Sequence, residues 1–333
     1  MPCPFRYVIT DMDGTLLSPD HVVSNYTRDT LKTLVNQHGV TLILATGRSY
    51  ADVRVIAENL QRYIWGDKVM VCRERMSAGP PSTPGFYLVT SNGAVVHNGV
   101  THEVLFQSAI DPALAEKLFR MLPSDEEVVN TNAYQNEDWL CRLNWPEMMS
   151  ANKESGFCFI HVPNPLPLLS CATGSVTQSP QATAPGIATG DYTNITKIFF
   201  ISDDSNRLLS LADEVHGVTD AHGGSPVSLT FSTLDCLDIM AEGVTKGEAL
   251  KRLFSAILPP MDGVDVVADA LAHSIAFGDG LNDEEMLTAA GKGCVMKNAN
   301  PRLIVRNQEL EVILSNTEDG VAKKLRGLFD IPL

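Results

Sequence analysis

The chain has 333 residues, 44% of them hydrophobic, and a formal net charge of −15. This length predicts a buried core divided into two domains, and the negative charge argues against nucleic acid or an anionic membrane surface as a partner. The apolar runs are too short to span a bilayer, and the first residues do not resemble a secretory signal. Seven scattered cysteines without a CxxC pair indicate reduced thiols, so we expect a cytoplasmic protein.

The first predicted element is a short strand over residues 7–10, which is followed by Asp11 and Asp13. In extended backbone, side chains two residues apart point the same way, so both carboxylates can face one cavity. That cavity would lie at the carboxyl end of a strand, where open α/β sheets bind ligands. Two like charges this close imply a bound Mg²⁺, one protonated acid, or both. A plain Asp-Gly turn beside a solvated acid is the alternative.

The next elements alternate between helix and strand. Ser24 is a typical N-cap of a helix that Gly39 ends. The apolar run at 40–45 has the pattern of a parallel strand covered on both faces. It ends in Thr-Gly-Arg at 46–48, after which Ser49 begins a second helix. This order predicts a parallel sheet with right-handed crossovers.

The pattern changes after a predicted strand at 86–90, which follows a Gly/Pro/Ser-rich loop at 73–85. Residues 95–106 have the pattern of a hairpin around Asn-Gly. The sequence ITKIFFI at 195–201 predicts a strand, and the Pro-, Ser- and Thr-rich segment 163–190 predicts a long mobile loop. Mixed hairpins and helices of this kind indicate an α+β domain.

Alternation returns with predicted strands at 236–240 and 273–277. We therefore predict a discontinuous α/β core domain, formed by 1–94 and 233–333, with an α+β domain inserted at 95–232.

Polar clusters follow the predicted strands or begin the helices: Asp11 and Asp13, Thr46, Lys246, and Asp279, Asn282 and Asp283. Together they supply what phosphoryl transfer requires. One carboxylate can attack phosphorus, and a second acid can protonate the leaving oxygen. Hydroxyl and ammonium groups can hold the phosphate oxygens, and Mg²⁺ prefers carboxylate ligands.

Four motifs resemble those of the haloacid dehalogenase (HAD) superfamily: DMDGTLL, ATGR, the lysine of GVTKGEAL, and GDGLNDEEML. The segments SNGA, LDIMAEGVTKGEAL, AGKGCVMKNAN and EDGVAKKL resemble its Cof-type phosphatases more closely. The resemblance implies a Rossmann-like parallel-sheet core with an α+β cap domain between the second and third motifs. In that family the cap is expected to close over the site and select the leaving group.

The resemblance also implies roles for individual residues. Asp11 matches the nucleophile and a Mg²⁺ ligand. Asp13 matches the general acid/base, and its backbone carbonyl matches a further Mg²⁺ ligand. Thr46 matches the hydroxyl that holds phosphate, and Lys246 matches the lysine that steadies nucleophile and phosphate. Asp279 matches the metal carboxylate.

The remaining matches have plainer alternatives. Asp283 matches a second acid that supports the metal's waters or the lysine, and Asn282 matches a contact on the phosphate side. The positions that match the mouth of the site are Gly47, Arg48, Asn92 and Gly93. An arginine of this kind is often only a surface ion pair, Asn-Gly is often only a turn, and the hydroxyl at 46 is alternatively a helix cap.

These observations predict a Mg²⁺-dependent phosphatase that hydrolyses small phosphorylated metabolites, with sugar phosphates favoured, through an aspartyl-phosphate. The resemblance implies that hydrolytic dehalogenases of the superfamily lack an acid at the position of Asp13, because a halide leaves without a proton. Two alternatives stay open. A phosphomutase uses the same intermediate, and a catalytically silent regulator would bind phosphorylated ligands without turnover. The sequence does not indicate the oligomeric state.

Overall fold

A computed structural model describes residues 3–66, 85–123, 127–145, 155–168, 186–221 and 227–332. The predicted loop at 73–85 lies outside the described residues except for its last residue, and so does the part of the 163–190 loop at 169–185. The chain forms two compact units, Met1–Gln107 with Thr245–Leu333, and Ser108–Val244.

The strands, in chain order, are β1 Tyr7–Thr10, β2 Thr41–Ala45, β3 Phe86–Thr90, β4 Val95–Asn98, β5 Val104–Gln107, β6 Asn130–Gln135, β7 Asp138–Cys141, β8 Phe159–His161, β9 Ile195–Ile201, β10 Val227–Thr233, β11 Cys236–Ala241, β12 Ser274–Gly278, β13 Lys292–Met296 and β14 Glu311–Ile313. The α-helices are α1 Asn25–His38, α2 Tyr50–Trp65, α3 Pro112–Phe119, α4 Ser205–Ala221, α5 Lys246–Ile257, α6 Val266–Ala272, α7 Glu284–Ala289, α8 Pro301–Arg306 and α9 Gly320–Leu328. Within the described ranges, no helix combines the length and hydrophobicity that crossing a membrane requires.

The first unit contains an eight-stranded sheet in the order β14-β13-β12-β1-β2-β3-β4-β5. The strands from β14 to β3 in this order pair in parallel. At one edge of the sheet, β4 pairs antiparallel with β3, and β5 pairs antiparallel with β4. The predicted parallel sheet is therefore confirmed. Because β1 lies between β2 and β12, the acidic segment after β1 emerges at the middle of the sheet.

Helices cover both faces of this sheet. Val8 of β1 packs in one cluster with Leu34 of α1 and Val53 of α2. Ile9, whose side chain points to the opposite face, packs with Leu250 of α5 and Met286 of α7. The result is the three-layer α/β architecture that the continuous apolar strands predict.

Local signals gave the helix ends correctly. The Ser24 hydroxyl accepts a hydrogen bond from the Thr27 amide at 3.0 Å, and Gly39 ends α1 with a φ of 67°. Ser49 caps α2 in the same way, through the amide of Asp52. These contacts lie within one helical turn, which is why the sequence alone indicates them.

The second unit contains a six-stranded sheet in the order β10-β11-β9-β6-β7-β8. Its pairs are antiparallel except for β7 and β8. One face packs against α3 and α4 through Leu118 and Leu211, and the other carries an aromatic cluster of Tyr134, Trp139 and Phe199.

The division between the units differs from the predicted one. It lies after 107 and after 244, rather than after 94 and after 232. The hairpin of β4 and β5 extends the first sheet through β3, and β11, expected in the core, pairs antiparallel with β9 and β10. A hairpin or strand signal is local, whereas the sheet that a strand joins depends on residues far away in the chain.

Candidate active site

The site is built on the turn that follows β1. The Asp11 amide donates to the Phe277 carbonyl at 2.9 Å, which extends the pairing of β1 with β12 to this residue. The chain then leaves the extended conformation in a tight turn over Met12–Leu16. Gly14 has a φ of 74°, and a Cβ there would collide with the carboxylate of Asp279. Only glycine allows the turn to come this close to the loop after β12.

Lys246 joins two carboxylates at the centre of the site. It is the first residue of α5 and is fully buried. Its Nζ lies 2.6 Å from Asp11 Oδ1 and 2.6 Å from Asp283 Oδ1. The two carboxylates raise the pKa of Lys246 against the effect of burial, so the ammonium stays charged.

Both carboxylate oxygens of Asp283 accept hydrogen bonds. Its Oδ1 accepts from the lysine, and its Oδ2 accepts from the backbone amides of Asp279 and Gly280, each at 2.9 Å. It therefore fixes Lys246 and shapes the loop after β12. The sequence leaves open whether this acid supports the metal's waters or the lysine, and its contact with Lys246 favours the second of these roles.

Asp279 is held on the other side of the cluster by Thr15, whose hydroxyl donates to Asp279 Oδ1 at 2.7 Å. Burial, with a smaller contribution from the Asp283 charge, raises the pKa of Asp279 to about 7. Burial also raises the pKa of Asp11 well above its ordinary value, although Lys246 opposes that effect. The three carboxylates thus bring more negative charge than the Lys246 ammonium neutralises.

Asp11, Asp279 and Asp283 can each offer one carboxylate oxygen within 4.8 Å of the others. Hard oxygen ligands in this number fit Mg²⁺, which binds through a few carboxylates and keeps waters or substrate oxygens in its other positions. A cation would also oppose the burial and the smaller carboxylate repulsion that raise the pKa values of Asp11 and Asp279. The donor set therefore fits the predicted metal.

Asp13 is not one of the three carboxylates of this cluster. Arg48 donates from Nε to Asp13 Oδ2 at 2.6 Å and from Nη2 to Asp13 Oδ1 at 2.5 Å. His21 Nδ1 lies 3.1 Å from the same Oδ1. Burial opposes the charge on Asp13, but the hydrogen bonds from His21 and Arg48 outweigh it and lower the pKa of Asp13 to about 2. Arg48 is held in turn by the buried Asp52, 3.1 Å from Nη1.

Thr46 and Gly47 lie at the end of β2. The Thr46 hydroxyl accepts from the Arg48 amide at 3.1 Å, which leaves its own proton able to donate to a phosphate oxygen. The helix cap of α2 is Ser49, so the alternative that Thr46 is that cap is wrong. A Cβ on Gly47 would lie 3.0 Å from Asn92 Oδ1.

Asn92 and Gly93 form a tight turn after β3. The Asn92 Oδ1 accepts from Asn282 Nδ2 at 3.0 Å, which joins two predicted substrate positions. Gly93 has a φ of 101°, and a Cβ there would collide with the Thr245 carbonyl. This glycine therefore permits the close approach of the residue that precedes Lys246.

The predicted residues thus fall into three groups. Asp11, Lys246, Asp279 and Asp283 form one connected cluster, Asp13 and Arg48 form an ion pair, and Thr46, Gly47, Asn92, Gly93 and Asn282 surround the ends of β2 and β3. Sequence reasoning missed the contacts of Thr15, His21 and Asp52. Thr15 follows Gly14 within the first motif, which could have drawn attention to it, whereas no local pattern indicates the other two.

Comparison with known proteins identifies the family. The family model of haloacid dehalogenase-like hydrolases matches residues 8–325. The chain belongs to this family. A protein of Haemophilus influenzae is 34% identical over 99% of both chains. The HMP-PP phosphatase of Enterobacter sp. is 30% identical over 98% of this chain and 97% of its own.

Solved structures agree with the fold of this hydrolase. A HAD subclass IIB sugar phosphatase superposes with a TM-score of 0.61 at 18% identity, covering 97% of this chain and 99% of that one. The family match and the relatives together identify the chain as a HAD phosphatase, which confirms the predicted fold class and enzyme class.

Proposed function

We propose that this HAD phosphatase hydrolyses small phosphorylated metabolites with Mg²⁺, through an aspartyl-phosphate on Asp11. One observation carries the proposal: a buried ammonium, Lys246, bridges Asp11 and Asp283 in a cluster of three carboxylates. Taking two or more charges out of water is costly. A group of buried, paired ionisable side chains with shifted pKa values is typical of a catalytic site.

The proposed nucleophile is Asp11. Its Oδ1 is occupied by Lys246, so Oδ2 is the oxygen free to attack phosphorus and form the acyl-phosphate. Burial raises the pKa of this carboxyl group, and the ammonium opposes that effect and favours the ionised form that attacks. The Thr46 hydroxyl and Lys246 are the proposed groups that hold phosphate oxygens as charge develops on them.

The proposed general acid is Asp13. It must protonate the leaving oxygen and later accept a proton from the attacking water. While Arg48 occupies both its oxygens, the pKa of about 2 keeps it deprotonated at neutral pH. The acid step therefore requires Arg48 to release Asp13. A phosphate anion near Arg48 would compete with Asp13 for the guanidinium and couple substrate binding to that release.

When bound, Mg²⁺ would neutralise charge on the phosphate and orient it for in-line attack. Asp11, Asp279 and the Asp13 carbonyl are its proposed ligands. Asp283 is the proposed support of this set, since the lysine and two amides already occupy its oxygens.

For the substrate class we retain sugar phosphates. The resemblance to Cof-type phosphatases supports this class, and the HMP-PP phosphatase of Enterobacter sp. supports the wider class of small phosphorylated metabolites. The five described cysteines are free thiols, which supports the proposed cytoplasmic location.

The test is phosphate release from sugar phosphates, nucleotides and p-nitrophenyl phosphate, with Mg²⁺ or EDTA, by the wild type and Asp11→Asn. We expect release that depends on the metal and is lost in Asp11→Asn. An isomerised product without phosphate release would indicate the phosphomutase, and binding without turnover would indicate the silent regulator. Either result would overturn the proposal.

A further inference from the structure

The second unit contains a cavity of about 220 Å³ that the proposed reaction does not use. It lies where the chain leaves α3, enters β6, and leaves β7 and β8. Its walls are formed by Leu122, Pro123, Val129, Thr131, Arg142, Leu143, Asn144, His161, Pro163 and Asn164. The lining combines an apolar floor with hydroxyl, amide, imidazole and guanidinium groups, and no carboxylate is among these residues.

Arg142 is the one arginine or lysine among these lining residues, and its hydrogen bonds are incomplete. Its Nη1 donates to the Leu122 carbonyl at 2.9 Å, and its Nη2 lies 3.5 Å from the Pro123 carbonyl. Its Nε is buried without a hydrogen-bond partner. Within the described parts of the chain, this guanidinium forms no ion pair with a carboxylate.

Arg142 is half-buried, and an arginine partly withdrawn from water without an acidic partner is unexpected in a chain of net charge −15. Neighbouring Arg120 shows the usual arrangement, because its Nη1 lies 2.5 Å from Glu116 Oε1. Burial, together with the charge of Arg120, lowers the pKa of Arg142. An anion bound beside the Arg142 guanidinium would offset both effects.

The cavity also has the size and the donors for a small anion. Its volume is several times the share of about 30 Å³ that one liquid water occupies. Thr131, at the cavity wall, is 1% exposed, so its hydroxyl lies in a part of the unit where a charge is poorly screened by solvent. Asn144 and Asn164 are exposed residues of the lining and can donate amide hydrogens.

We propose that this cavity binds inorganic phosphate, with the Arg142 guanidinium as its charged donor and the unpartnered Nε–H as one of its hydrogen bonds. All of its lining residues belong to the second unit, and none is a member of the carboxylate cluster. Since inorganic phosphate is also the product of the proposed reaction, such a site would allow the product to act on the enzyme through residues other than the catalytic ones.

The test counts phosphate ions bound per chain by isothermal titration calorimetry of the full chain with inorganic phosphate and Mg²⁺. For the wild type we expect two ions, one at each site. For Arg142→Gln we expect one, while hydrolysis of p-nitrophenyl phosphate stays within about twofold of the wild type. The matched control is Arg120→Gln, which removes a paired charge nearby and should still bind two.

Arg142→Lys covers the case in which the glutamine variant does not fold. It keeps the charge but lacks the Nε donor, so we expect phosphate to bind at this site about tenfold more weakly. Loss of one bound ion in Arg142→Gln, or weaker binding of that ion in Arg142→Lys, supports the site even if the wild type proves inactive, because neither result depends on turnover. Phosphate stoichiometry and affinity equal to wild type in a folded Arg142 variant would overturn the proposal.

Discussion

Replacing Lys246 by methionine tests the charge balance at the centre of the site. Methionine keeps much of the volume but removes the ammonium that lies 2.6 Å from both Asp11 and Asp283. The side chains of Asp11 and Asp283 are each at least nine-tenths buried. Removing one partner of a buried ionic network typically costs about 3–5 kcal/mol. In EDTA at pH 8 we expect the free energy of unfolding of Lys246→Met to fall by about that amount.

The destabilisation by Lys246→Met should depend on pH. Burial already raises the pKa of Asp11 above its unfolded value, and loss of the ammonium raises it further. The folded variant then binds a proton that the unfolded chain does not, so its stability increases as the pH falls from 8 towards the unfolded pKa of about 3.9. The destabilisation relative to wild type should therefore be smaller at pH 5 than at pH 8.

The assay is urea unfolding of both proteins at pH 8 and pH 5, followed by circular dichroism. Lys251→Met is the matched control, because Lys251 lies on the same helix with 47% of its side chain exposed and should change stability little at either pH. A cost below about 1 kcal/mol for Lys246→Met at pH 8, or a cost that grows on acidification, would refute the reasoning.

Three further predictions concern the first unit. His97 is buried, and burial lowers its pKa from 6.5 to about 4. Between these two pH values the unfolded chain binds a proton at His97 and the folded chain does not. The wild type should therefore lose about 2 kcal/mol of stability between pH 7 and pH 5, and His97→Gln should not show this loss. An equal loss in both proteins, measured by urea unfolding, would contradict this. Gly93→Ala should destabilise the fold by about 1–3 kcal/mol and lower kcat, since its Cβ would strike backbone. The control is Gly39→Ala, because Gly39 also has a positive φ of 67° but has open space around it. This variant should lose only about 1–2 kcal/mol of stability and keep its kcat. Equal kcat values in the two glycine variants would contradict the role of Gly93 in positioning the residue before Lys246. Finally, Arg48→Gln should raise the pKa of Asp13 from about 2 towards its ordinary value. This pKa can be measured by ¹³C NMR titration of a carboxyl-labelled chain. An Asp13 pKa equal to that of the wild type would show that Arg48 does not stabilise the Asp13 carboxylate.

The parts of the fold that local chemistry determines could be predicted. The N-cap Ser24, the left-handed Gly39 and the apolar run of β2 specify α1 and its neighbouring strand within a few residues. The side to which the hairpin of β4 and β5 attaches could not be predicted in this way, because it depends on pairing with β3 across the sheet.

The site also has features that the sequence predicts and features that it does not. Parallel strands end at one edge of a sheet, so the meeting of Asp11 with Asp279 could be expected from their positions after two strands. The direction of the Asp13 side chain could not, because the extended alternation that would align it with Asp11 ends in the turn at Met12–Leu16. Its partner His21 comes from an irregular segment that no pattern in the sequence indicates.

The most direct test of the account is whether Asp11 carries the phosphoryl group during turnover. Wild type would be mixed with its best substrate and Mg²⁺, quenched in the steady state, and reduced with borohydride, which converts an aspartyl-phosphate to homoserine. Mass spectrometry should find homoserine at position 11 in wild type and none in Asp11→Asn, which should also release no phosphate. Phosphate release by wild type without modification at position 11, or undiminished release by Asp11→Asn, would contradict the account.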